Sequence, residues 1–348
     1  MNYLICQDWI NTSNNHAGIK YLCNNIAERF PEKYKSIVIP PFCNNFKMSK
    51  NPIIRRIQSK VCKYKHYKYT MFLYDILKNE LHPHDKVIIM EYMDTSLSML
   101  PFAKKLKKNM PQISLHVMAH LVPSKLDLYF PSNKDIKNWT EHVDMIYTLG
   151  HSLSNYFISR GVPPEKMFTT FHYVDYYYFN KNPVRNHERP TVIAMGNQMR
   201  NIDLLQKIVS ENPSVDFIIC QGVNDMRGYF ANKKNVNLIP FVEESELRNY
   251  MNQADISLNV MKDTIGSNVI VTSLAMGLAM ICSDVGSIRD YCNESNTLFC
   301  HNENISDFSK AITTLLNDRK MLADMQRKSY ERATELTIER FIQSIESL

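Results

Sequence analysis

Three stretches in the second half of the chain place glycine and polar residues directly after a short apolar run. The first is Ala194-Met-Gly-Asn-Gln-Met-Arg-Asn-Ile-Asp-Leu-Leu205. Gly196 allows close backbone approach, Arg200 offers a forked cation, and a helix beginning near Ile202 would present free N–H groups. Together these suit a phosphate or diphosphate, although an exposed turn with an incidental arginine reads the same way. The second is Asp263-Thr-Ile-Gly-Ser-Asn-Val-Ile-Val-Thr-Ser-Leu-Ala-Met-Gly277. Gly266 supplies a permissive turn, Ser267 or Asn268 an N-cap, and Gly277 a C-terminal stop for a helix over Val269–Met276. Its start would favour an anion, and the same pattern also describes a well-capped core helix. The third, Asp284-Val-Gly-Ser-Ile-Arg-Asp-Tyr291, is a further strand-to-helix turn. In the first half the corresponding positions are Asn11 to Gly18, Glu91 and His120, the last being the best-placed histidine or else a satisfied structural one.

These turns need strands before them and helices after them. Short apolar runs recur at Tyr3–Cys6, Ser36–Ile39, Lys86–Met90, Ser114–Met118 and Met145–Leu149, then at Thr191–Met195, Asp216–Cys220, Val236–Ile239, Ile256–Val260 and Ala279–Ser283. Several are continuous rather than alternating, as parallel strands buried on both faces are. Stripes such as Ile19, Leu22, Cys23 and Ile26 predict amphipathic helices between them. The fold class expected is α/β, with two Rossmann-like, doubly wound domains facing across a cleft. The first would span residues 1–180, a polar linker 181–190 and the second domain 191–325. A terminal helix over 326–348 would pack on a sheet or cross back to the first domain. Within Arg319–Leu348 the expected buried side is Leu322, Met325, Ala333, Leu336, Ile338, Phe341 and Ile345.

Composition is globular, with 44% hydrophobic and 22% charged residues over 348 positions. That excludes a disordered chain or a disulfide scaffold. The eight cysteines form no Cys-x-x-Cys pair, so buried free thiols in a reducing, cytoplasmic setting are expected. No run approaches a membrane-spanning helix and no secretory leader is legible. The charge is uneven: residues 1–185 carry net +11 and residues 186–348 net −5, giving the overall +6. Ten basic residues and no acidic one lie from Lys33 to Tyr74. The segment Lys47–Lys68, interleaved with Tyr64 and Tyr67, fits an anionic membrane surface or a phospholipid-linked substrate, or else a solvated face. No nucleic-acid module is present. P-loop, G-x-G-x-x-G, G-x-S-x-G and H-E-x-x-H patterns are absent, and no isolated D-x-D pair suggests a metal.

The ordered set Gly196…Arg200…Asp203-Leu-Leu, Phe217-Ile-Ile-Cys-Gln-Gly222, Asn237-Leu-Ile-Pro-Phe-Val242, Ala254-Asp255-Ile-Ser-Leu, Leu274-Ala-Met-Gly277 and Ser283-Asp-Val-Gly-Ser-Ile-Arg-Asp290 resembles the nucleotide-sugar domain of retaining glycosyltransferases. The family is the glycogen-synthase-like and mannosyltransferase-like group 1 family with the GT-B fold. Phe171-His-Tyr-Val-Asp175 stands where that family often has Asn-Gly-Val-Asp. The resemblance implies that Arg200 holds the donor diphosphate and that Gly196, Gly266, Ser267 and Asn268 lie beside the donor. It places Phe241 and Val242 at the nucleobase, Gly18 near the phosphates and His120 near the reacting sugar. The family's E-x7-E glutamates fall here on Thr264 and Thr272, with Asp263 adjacent, and Asn197 stands where the family's accompanying arginine is expected. The expected activity is a metal-independent, retaining hexosyl transfer from a nucleoside diphosphate sugar, UDP favoured, to a saccharide or lipid-linked acceptor. His120 and Asp263 are its candidate catalytic residues, and no cofactor beyond the co-substrate is implied. The alternative is a non-catalytic nucleotide-sugar-binding subunit that has lost the glutamates.

Overall fold

The computed structural model describes residues 1–8, 15–40, 48–93, 98–179 and 190–347. The chain divides into two units, Met1–Thr170 and Phe171–Leu348. The first alternates β1 (Asn2–Gln7), α1 (Ile19–Arg29), β2 (Tyr34–Ile39), α2 (Pro52–Leu77), β3 (Lys86–Tyr92), α3 (Leu100–Asn109) and β4 (Ser114–Ala119). It continues through α4 (Pro123–Tyr129), α5 (Asn133–Thr140), β5 (Met145–Thr148), α6 (His151–Ser159) and β6 (Met167–Thr169). All pairings are parallel, in the order β2-β1-β3-β4-β5-β6.

The second unit runs α7 (Tyr176–Phe179), β7 (Thr191–Ala194), α8 (Ile202–Glu211), β8 (Asp216–Cys220), α9 (Arg227–Phe230), β9 (Val236–Ile239) and α10 (Glu244–Gln253). Then come β10 (Ile256–Asn259), α11 (Asn268–Ala275), β11 (Ala279–Ser283), α12 (Ile288–Tyr291), β12 (Thr297–Cys300), α13 (Ile305–Asn317), α14 (Arg319–Ala333) and α15 (Ile338–Glu346). Its parallel sheet has the order β12-β11-β10-β7-β8-β9. Counted within the unit this is the doubly wound dinucleotide order, whose strand sequence reverses between β10 and β7.

All ten expected strands form, because runs such as Val192–Ala194 and Ile256–Leu258 are apolar enough to be buried on both faces. Two further strands, β6 and β12, are not among those expected; each lies at one edge of its sheet and is short, with a broken apolar run. One face of the second sheet is covered by Leu204, Leu205, Ile208 and Val209 of α8 and by Phe308, Ile312 and Leu315 of α13. The second unit begins earlier than residue 191 for a local reason. The Val174 N–H donates to the Leu336 carbonyl at 2.8 Å, and the rings of Phe171 and Tyr173 lie against Phe341. Every expected buried residue of the terminal segment is buried. That segment, α14 and α15, belongs to the second unit. Of the expected linker, only Pro190 lies within the described residues.

Seven cysteines are described, all as free thiols, and six of them are buried. Among the described residues no helix is long and apolar enough to cross a membrane, and no three metal-ligating side chains cluster.

Candidate functional site

In a doubly wound sheet the crevice beyond the strand ends opens where the strand order reverses. In the second unit that point lies between β7 and β10. The loops leaving these two strands are laced together there. Arg200 and Met261 form an isolated antiparallel bridge, the Asn201 N–H donates to the Val260 carbonyl (2.9 Å), and the Lys262 N–H donates to the Met199 carbonyl (2.8 Å). Met199 sits at φ +54°, a left-handed conformation that is unusual for a methionine, so the lacing holds local strain.

Gly196 has φ +85°, and a Cβ there would lie 2.9 Å from Cγ2 of Val269 in the first turn of α11. The glycine therefore lets the β7 turn close onto the start of α11. Asn197 is exposed, and its amide lies against Gly222 in the loop after β8. Ser267 caps α11 by accepting from the Ile270 N–H. The helix ends with Gly277 at φ +62°, the Leu278 N–H donating to Ser273 and the Gly277 N–H to Leu274. This is the Schellman stop that the glycine predicts. The first turn of α11 carries no acid, whereas α8, α10 and α13 carry Asp203, Glu244 with Glu246, and Asp307 in theirs. The positive end of the α11 dipole is therefore left unneutralised by its own sequence.

Arg200 is not displayed outward, as the sequence suggests it would be. Its Nη1 donates to the Cys220 carbonyl (3.0 Å) and touches Met226 Sδ (3.4 Å), while Nη2 is buried with no partner. Among the described residues no carboxylate pairs with it, and burial pulls its pKa down to about 10. A second unpartnered buried atom, Oδ1 of Asn268, sits at the first position of α11. Asp263 is half-buried, and burial raises its carboxyl against the opposing effect of the Thr264 N–H, which donates to Oδ1 at 2.8 Å.

The two threonines at the family's glutamate positions use their hydroxyls within the chain. Thr264 is buried, its Oγ1 accepting from the Gly266 N–H (3.1 Å) and its carbonyl from the Ser287 N–H (2.7 Å). Thr272 is buried on α11 and donates its hydroxyl to the Asn268 carbonyl (2.6 Å). A residue of this size four positions along the helix bonds back to its own turn more readily than it reaches outward. Phe241 is exposed and Val242 half-buried, both in the loop leaving the edge strand β9.

In the first unit the strand order reverses between β1 and β3, and the Gln7 N–H donates to Glu91 Oε2 there (2.8 Å). Gly18 is the extended N-cap of α1, and Asn11 lies outside the described residues. His120 follows β4, and its Nε2 lies 2.7 Å from the Met90 carbonyl, so that nitrogen carries the proton.

Three residues near the second unit's crevice escape the sequence reading. Tyr291 is fully buried, accepts from the His172 N–H (2.8 Å) and fills the space a Gly266 side chain would need. His172 precedes it in a stretch read only as part of a motif. Lys262 is exposed beside the Arg200–Met261 bridge and makes no ion pair among the described residues. A lone Lys at a strand end carries no signal until the β7 loop is laid against it.

Residues 184–332 match the family model described as glycosyl transferases group 1. One of the component chains of human phosphatidylinositol N-acetylglucosaminyltransferase is 26% identical over 174 residues, covering 46% of this chain and 35% of that one. The matched region thus spans about a third of that relative's length. Sucrose-phosphate synthase from Thermosynechococcus elongatus superposes with a TM-score of 0.73 at 11% identity, covering 100% of this chain and 98% of that one. Anabaena Alr3699/HepE in complex with UDP gives a TM-score of 0.71 at 11% identity, with 100% and 99% coverage. The lipopolysaccharide outer core galactosyltransferase WaaB gives 0.68 at 12%, with 100% and 99% coverage. The GT-B fold expected from the sequence is borne out, and the stretch that resembles the group 1 family model lies within the second unit.

Proposed function

We propose that this chain transfers a hexose from a nucleoside diphosphate sugar, a UDP-sugar in the first instance, to a saccharide or lipid-linked acceptor. Retention at the anomeric carbon and independence from a resident metal belong to this reading. The observation that carries it is Arg200, a half-buried residue with a buried, unpartnered Nη2 and no carboxylate partner among the described residues, at the strand-order reversal. A buried cation lacking an anion is costly unless one arrives. A diphosphate supplies that anion, and the same group fits the unneutralised start of α11.

Bond cleavage loads negative charge onto the departing diphosphate, and fixed donors aimed at that charge lower the barrier. Arg200, Lys262 and the α11 N–H groups would serve this purpose. Asp263, one residue before the place of the first family glutamate, would hold donor-sugar hydroxyls, and His120 would act near the acceptor. Gly196 and Gly266 let Val269 and Tyr291 pack against the two turns that would border the donor, and Phe241 would lie at the base. UDP is favoured because the Anabaena structural neighbour was solved in complex with it. The human relative's name makes N-acetylglucosamine and an inositol lipid the first donor sugar and acceptor to test. The basic helix α2 would hold the protein on an anionic surface that carries such an acceptor.

The test is a UDP-release assay with UDP-glucose, UDP-galactose and UDP-N-acetylglucosamine, alongside thermal unfolding with UDP. Release from at least one donor and a raised Tm are expected. Stabilisation by UDP without release, even with acceptor, would favour the non-catalytic alternative. Neither effect would overturn the reading.

A further inference from the structure

Helix α2 has two apolar sides, and the fold uses only one. It spans 26 residues, about 39 Å at 1.5 Å per residue. Thr70, Leu73, Tyr74 and Leu77 are buried on the side that meets α3, where the Tyr74 ring packs edge-on against Phe102. The opposite side carries Ile53, Ile57, Val61, Tyr64, Lys68, Phe72 and Ile76, a continuous ridge at spacings of three and four. Ile53 is 70% exposed, Ile57 57%, Tyr64 61% and Phe72 58%, and Ile54 widens the ridge. Isolated exposed apolar residues need no explanation, but a ridge along a whole helix does.

Cations flank the ridge. Arg56, Lys60 and Lys63 run along one edge and Lys65 lies on the other, and no acid occurs from Lys50 to Tyr74. Among the described residues Arg55, Arg56, Lys60 and Lys63 form no ion pair. Lys68 lies over the Tyr64 ring at 5.7 Å. Lys47 lies outside the described residues.

We infer that α2 binds an anionic phospholipid bilayer in the plane of the headgroups, with this ridge inserted among the acyl chains. This deepens the surface-binding part of the proposed function, from adsorption by charge to insertion. Aliphatic side chains flanked by lysines and arginines match a bilayer interface, where the lysine stems follow the apolar boundary and the ammonium groups reach lipid phosphates. Tyrosines at the edge suit the headgroup layer. A nucleic acid would satisfy the cations but leave the isoleucines against a polar backbone. A second copy of the helix would cover the isoleucines but oppose cation with cation.

The experiment is co-sedimentation of the full chain with phosphatidylcholine vesicles, with and without phosphatidylserine, in the absence of any nucleotide sugar. Binding is expected only to the anionic vesicles, weakened but not abolished in about 1 M salt, where the screening length falls to about 3 Å. Ile57→Ser with Val61→Ser should lower it at least about tenfold, as should Lys60→Glu with Lys63→Glu. These positions are exposed, and unchanged unfolding curves would confirm intact folds. An Ile57→Trp variant should shift its emission to the blue on binding.

Binding lost entirely in salt and indifferent to the serine pair would overturn insertion while leaving charge adsorption standing. No anionic-vesicle binding would overturn both and leave the transfer reaction untouched. A gel shift with RNA or DNA dependent on Lys60 and Lys63, or a dimer dissolved by the serine pair, in place of vesicle binding, would assign the helix to another partner.

Discussion

Replacing Arg200 by alanine separates a ligand's anchor from a structural strut. The guanidinium makes one carbonyl hydrogen bond, to Cys220, and leaves Nη2 buried and unsatisfied. Losing one neutral-acceptor bond costs about 1–2 kcal/mol, while deleting a buried unpaired charge returns a comparable amount. The unliganded protein should therefore change by about 1 kcal/mol or less, in either direction. Binding of UDP should suffer more. Charge-assisted hydrogen bonds contribute roughly 1.5–3 kcal/mol, so the dissociation constant should rise roughly 10- to 150-fold. Urea unfolding without ligand and calorimetric titration with UDP measure the two quantities separately. Arg200→Lys, a cation without the fork, should fall between them. An unchanged affinity for UDP alongside a loss of several kcal/mol in stability would refute the reasoning, because Arg200 would then be a strut. The pKa of about 10 adds a further check. Affinity for UDP should decline as pH rises through about 10, where an ordinary arginine would stay charged.

Four further outcomes follow from the geometry. His116 is buried between Ser114 Oγ and Tyr147 Oη, and burial lowers its pKa to about 4. Its folded value lies below the ordinary 6.5, so its contribution is complete above about pH 6.5 and is lost as pH falls towards 4. The loss is up to roughly 3 kcal/mol, and His116→Gln should flatten the stability profile across that window. Gly266→Ala would force a side chain to 2.2 Å from Tyr291 Oη at φ +97°, and should cost about 2 kcal/mol or more in urea unfolding. Ser267→Ala should remove about 1 kcal/mol of stability through the lost α11 cap. Thr272→Val should leave the KM for the donor within about twofold, since that hydroxyl is committed inside α11.

Continuous apolar runs and the helix stripes between them were enough to write down ten parallel strands and the α/β class, because burial on both faces leaves a mark at each residue. Capping chemistry was equally local: Ser267 and Gly277 announce the ends of α11 by what their side chains, or the lack of one, can do within a few residues. β6 and β12 left no such mark, since β6 is three residues long with none of them fully buried and β12 is four residues long and only half buried. The site was divided in the same way. Arg200, Gly196 and Asp263 were legible as types after strand ends, but the inward turn of Arg200, the internal commitment of Thr264 and Thr272, and the places of Tyr291 and Lys262 were not. Those depend on which strands become neighbours. The pairing of β7 with β10 joins residues some sixty positions apart, and no local pattern encodes a contact at that distance.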